Sequence, residues 1–96
     1  MFGFEWQGKP LIPTKRVLDE MEHADIDMYL AVEVLNEGFD CARSKRKKNI
    51  YERCLQRGKK IMKVVVADIG SYYKLIHVGV FTEKKGRFEQ GAGDVQ

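Results

Sequence analysis

Ninety-six residues suffice for one domain with a single core and are too few for two. Hydrophobic residues make up 44% and charged residues 32%, the balance of a soluble globular chain, which excludes wholesale disorder. The formal net charge of +3 is mild; the apolar run at residues 64–67, like that at 28–32, is far below bilayer length and no cationic leader opens the chain, so a cytoplasmic protein without membrane contact is expected.

Phe2, Phe4 and Trp6 alternate, which predicts a short strand with a buried aromatic face. Pro10 and Pro13 then read as breaks in regular structure. Thr14 opens a helix over residues 14–23: its hydroxyl can cap the first turn, and Val17, Leu18 and Met21 follow at helical spacing. After a tight break, Asp25 or Asp27 caps a second helix over 26–37, with Leu30, Ala31, Val34 and Leu35 on one stripe. Gly38 suits a left-handed residue that closes it. Two helices this close in sequence predict an αα hairpin.

The next stretch is basic. From Arg43 to Lys63 there are ten Lys or Arg against one acid, Glu52, whereas residues 5–40 hold nine acids. Such a run is a solvated loop, a non-specific contact to a phosphate backbone, or the rim of an RNA-cutting site. Its candidate phosphate contacts are Arg43, Lys45, Arg46, Lys47, Lys48 and Arg57. Cys41 and Cys54 have no Cys-x-x-Cys spacing and no suitable His pair, so no metal is expected, and two reduced, buried thiols are the default.

Residues 49–56 suit either a helix face or a strand, and Arg57-Gly58-Lys59 signals a turn. The segments "KIMKVVVADI" and "YYKLIHVGVFT" are β-branched and predict strands over 60–67 and 73–82. Residues 84–96 read as a Gly-rich, flexible tail behind a single domain over 1–83. The expected architecture is α+β: the αα hairpin on one face of an antiparallel sheet of three or four strands.

Sheet register decides what the charged strand residues can do. A five-residue loop at 68–72 sets Ala67 opposite Tyr73 and Lys63 opposite His77; a turn about Gly58 with Gln56 opposite Lys60 sets Arg53 opposite Lys63. Arg53, Lys63 and His77 then form a row, away from a helix-facing set of Met62, Val64, Val66, Ile76, Val78 and Val80. A one-residue slip in either hairpin breaks the row. Lys63 and His77 are either plain solvent-facing residues or catalytic ones. In the catalytic case His77 is a general base at cellular pH, Arg53 and Lys63 stabilise a phosphorane, and Tyr51 or Tyr73 donates a proton.

The helix-opening Thr14, the "ADID" break, "VLNEG" at the second helix end and the closing "IHVGVFT" resemble small prokaryotic domains of unknown function allied to the RelE/ParE and BrnT toxin superfamily. "RSKRKKNIYERCLQRGKK" followed by "KVVV" and "IHVG" is similar to an archaeal branch of them, over residues 12–82. The resemblance implies a RelE-like fold, RNA or the ribosome as target, no cofactor, and a small cotranscribed protein partner. It departs at the first helix, where Lys15 and Arg16 follow Thr14 and where Glu20 and Glu22 are acidic. Three functions follow as expectations: an RNA-associating domain, a metal-independent toxin-type endoribonuclease, and a non-catalytic protein-interaction domain.

Overall fold

The computed structural model describes residues 3–41 and 48–82. Arg43, Lys45, Arg46 and Lys47 of the basic run, Phe2, and the expected tail over 84–96 lie outside the described residues. The class is α+β, with eight elements: β1 (Phe4–Trp6), β2 (Lys9–Pro13), α1 (Lys15–Ala24), α2 (Met28–Glu37), β3 (Phe39–Asp40), β4 (Ile50–Arg57), β5 (Lys60–Asp68) and β6 (Tyr73–Thr82).

The sheet has six strands, in the order β1-β2-β6-β5-β4-β3, and is mixed, which corrects the expected three or four antiparallel strands. β2 runs parallel to β6, with Leu11 opposite Tyr73 and Pro13 opposite Leu75. Both prolines read as breaks, yet both lie in β2, at the strand's end and near the sheet's margin, where a missing N–H costs little. Gln7 and Gly8, both at positive φ, make the two-residue turn that folds β1 back on β2.

The helices form where the spacing places them. Thr14 Oγ1 accepts the Val17 N–H at 3.0 Å, and Asp27 Oδ1 accepts the Leu30 N–H at 2.9 Å. Asp25, at φ 60°, ends α1 in the left-handed region. The two helices are consecutive and pack on strands, α1 on β6 and α2 on β1, β4 and β5. Gly38 is extended at φ −82°, not left-handed. A side chain there would collide with the Cys54 and Val34 carbonyl oxygens, so glycine permits close approach of α2's end to β4.

One core lies between the helices and the sheet. Val17, Met21, Ile26, Ala31, Val34 and Leu35 meet Met62, Val64, Val66, Leu75 and Val78, with Trp6, Leu11 and Tyr73 closing one end. Across it the rings of Trp6 and Tyr73 stand 4.8 Å apart. Cys41 and Cys54 are paired as a disulfide with Cα atoms 5.6 Å apart, which corrects the expected free thiols. β3 brings them together: Phe39 opposite Cys54 and the Cys41 N–H on the Glu52 carbonyl leave the thiols adjacent.

Candidate nucleic-acid interface

The two hairpins of β4, β5 and β6 set the faces of the cations they carry. β4 and β5 are joined by the two-residue loop Gly58-Lys59, with Gly58 at φ 64° and Arg57 opposite Lys60. This is one residue off the expected register, so Arg53 lies opposite Val64 and faces the helices. Lys63 lies opposite Cys54 on the other face. The row Arg53–Lys63–His77 therefore does not form.

Between β5 and β6 two departures occur. The loop spans 69–72 with Asp68 opposite Tyr73, and Ile76 is left out of the pairing between Val65–His77 and Val66–Leu75. Each moves the register by one residue. Together they set Lys63 opposite Gly79 and His77 opposite Val65, so Lys63 and His77 still share a face as diagonal neighbours. The bulge also removes Ile76 from the expected helix-facing set, whereas Met62, Val64, Val66 and Val78 are buried against the helices.

Arg53 closes the C-terminus of α2. Its Nε donates to the Leu35 carbonyl at 3.3 Å, Nη2 to the Gly38 carbonyl at 2.7 Å, and Nη1 to Asp40 at 2.9 Å. A helix leaves its last carbonyls without partners, and a guanidinium supplies several donors at once. Lys63 Nζ stands 3.6 Å from Oε1 of the buried Glu52. Arg57 pairs with Glu33 of α2. Lys48, Lys59, Lys60 and Lys74 are exposed.

His77 Nδ1 donates to Glu20 Oε1 at 2.9 Å, because a carboxylate can only accept. The same oxygen accepts the Val78 N–H at 3.2 Å. Partial burial works to raise the Glu20 carboxyl, but the Val78 N–H and His77 outweigh it and hold the group below its usual range. The other ring nitrogen of His77 lies beside Gly79, 3.7 Å from where a Cβ there would stand, an ordinary van der Waals contact. His23 is engaged locally, Nδ1 donating to the Asp19 carbonyl.

At the opposite end, Lys9 Nζ donates to Asp68 Oδ1 at 2.7 Å and sits 4.5 Å from the centre of the Tyr73 ring. The Asp68 hydrogen bond raises the Lys9 ammonium, and the same bond, with the Gly70 N–H, lowers Asp68. Tyr73 is buried with its hydroxyl on Gln7, and Tyr51 packs near it, 6.3 Å between rings, so neither expected proton donor stands beside His77 in the register.

Sequence reasoning missed Glu20 as the partner of His77, Glu52 as the partner of Lys63, and the Lys9–Asp68 pair. All three join residues at least 11 positions apart, and no local pattern marks them. The exposure of Lys59 and Lys60 was available from the turn signal at Gly58. Among the described residues no group of three or more His, Cys, Asp or Glu is arranged to hold a metal ion, and no helix is long and apolar enough to cross a membrane. Comparison of the chain with protein-family models, curated proteins and solved structures gives no match.

Proposed function

We propose that the protein is a RelE/BrnT-like, RNA-associating cytoplasmic domain that holds its ligand through phosphate contacts along the β4–β6 hairpins. One observation carries the reading: charge is segregated between the layers. Residues 14–40, which hold both helices, carry eight acids and two Lys or Arg, whereas residues 48–82 carry seven Lys or Arg and two acids. A polyanion is repelled by the first and attracted by the second. Arg53 and Arg57 are tied to α2 and its end, so the contacts fall to the exposed Lys48, Lys59, Lys60 and Lys74, with Arg43, Lys45, Arg46 and Lys47 added from the sequence. Contacts of this kind confer affinity and little sequence preference.

The test is a titration of a labelled single-stranded RNA followed by anisotropy at several salt concentrations. Log affinity is expected to fall with log salt by about 0.7 per phosphate contact. Replacing Arg46, Lys47 and Lys48 by Gln lowers that slope by about two. Absence of binding at low salt ends the reading.

A second reading, metal-independent RNA cleavage, draws on the pairing of His77 with Glu20. A carboxylate on Nδ1 fixes the ring and leaves Nε2 as a base, with Lys63 on the same face to attract a phosphate. Arg53, engaged at the end of α2, is absent from this arrangement. His77→Ala is expected to reduce cleavage of labelled RNA in EDTA by ~10²–10⁴-fold with affinity nearly unchanged. Undiminished cleavage by the variant eliminates His77 as the base.

A further inference from the structure

The outer side of β6 is only half covered. β2 accompanies it as far as Pro13, opposite Leu75, and the Thr14 N–H that opens α1 donates to the Leu75 carbonyl. Beyond that point no described strand pairs with this side of β6. The register with β5 is regular from His77 to Thr82, so backbone groups alternate between the two sides. Val78 points its N–H outward, since it donates to Glu20. By the same alternation Val80 and Thr82 turn their N–H and C=O groups outward, and an edge of this kind accepts an added strand.

Beside the edge lies an open groove of about 640 Å³, walled on its other side by the C-terminal half of α1. Its charged lining is Asp19, Glu20 and Asp25 against Lys60, with His23 and His77. A chain of net charge +3 therefore presents its free strand edge in a negative groove. That sign repels a polyanion. It also disfavours a second copy, because pairing β6 with β6 across a twofold axis brings two acidic walls together.

We propose that this edge docks an extended, Lys- or Arg-bearing segment of another protein, which adds as a strand beside Val78–Thr82 with its cations toward Asp19 and Asp25. Main-chain hydrogen bonds to Val80 and Thr82 supply the pairing, and the carboxylates select the charge. Glu20 already occupies the Val78 N–H and marks the end of the added strand. Of the described lysines assigned to RNA, Lys60 alone borders this surface.

The test uses the full chain and two synthetic octapeptides, one alternating lysine and valine, the other glutamate and valine. With the lysine peptide, the Val80 and Thr82 amides are expected to exchange with solvent at least tenfold more slowly, while the Gly79 amide, already in the ladder with β5, is unchanged. The glutamate peptide leaves all three unaffected. Asp19→Lys combined with Asp25→Lys reverses the preference between the peptides. Val80→Pro removes an outward N–H that the β5 ladder does not use and weakens binding at least tenfold; should that variant fail to fold, the charge-reversed pair decides. No protection at millimolar lysine peptide overturns the proposal, as does equal binding of both peptides. Protection of Val80 and Thr82 that appears without peptide as protein concentration rises overturns it in favour of a second copy.

Discussion

The helical layer and the β4–β6 hairpins carry opposite charge and hold it in different ways. On the helices, carboxylates finish the backbone: Asp27 caps α2, and Glu20 takes the Val78 N–H at the edge of β6. On the hairpins, Lys63 stands beside the buried Glu52 and the other cations divide into two groups. Arg53 and Arg57 reach back to α2, whereas Lys48, Lys59, Lys60 and Lys74 stand in solvent. Charge in the sequence therefore does not separate an architectural cation from a solvent-facing one. The difference lies in which strand face and which turn each occupies.

The comparison can be broken at its joints. The largest effect is expected where β3 is fastened to β4. The Cys41–Cys54 disulfide closes a loop with a sequence separation of 13, and such a loop contributes about 3 kcal/mol. Replacing both cysteines with Ala is expected to lower the urea midpoint accordingly. An unchanged midpoint would mean that the crosslink does not restrain the unfolded chain.

Arg53→Ala comes next. It leaves the carbonyls of Leu35 and Gly38 without their donors and is expected to cost about 2–3 kcal/mol. RNA affinity should change little, since this guanidinium is turned to the helices. A large loss of affinity with stability intact would place Arg53 among the ligand contacts instead.

Acid sharpens the contrast. Glu20 and Asp68 are held below the usual carboxylate range in the fold, so the unfolded chain binds their protons more readily. Their contribution is complete near neutral pH and disappears as pH falls through and below ~4. Lys9 is raised, so its contribution persists through neutral pH and is lost only in strong alkali, above its ordinary range. Glu20→Gln is expected to flatten the acid limb of the melting temperature measured from pH 3 to 7 (roughly the window set by a carboxylate). A limb as steep as in the parent chain would remove Glu20 from that role.

The smallest effect is reserved for the exposed cations. Lys59→Gln with Lys60→Gln should shift stability by less than ~0.5 kcal/mol, as surface changes do. The same pair should lower the salt slope of RNA binding by about 1.4, or two contacts. Arg57→Ala, which breaks an exposed pair with Glu33, is expected to cost under ~1 kcal/mol. A slope unmoved by the lysine pair would exclude the β4–β5 turn from the interface.

Local chemistry determined the elements. The caps at Thr14 and Asp27, the apolar stripe through Ala31, Val34 and Leu35, and the β-branched runs that became β5 and β6 all follow from spacing within one element. The change from helical to alternating period was enough for an α+β chain. Pairings between distant segments were not legible, because strand register depends on turn length and bulges that alternation does not encode. At Gly58 the two-residue turn moved Arg53 to the helix side, where it closes α2. At Ile76 the bulge added a second one-residue shift, and two such shifts restore the face, so Lys63 and His77 remained neighbours. Parallel β2, the Cys41–Cys54 link and the half-open edge of β6 likewise arise from contacts far apart in the chain. Side-chain period is a property of one strand, whereas the residue that lies across from it is decided by the whole sheet.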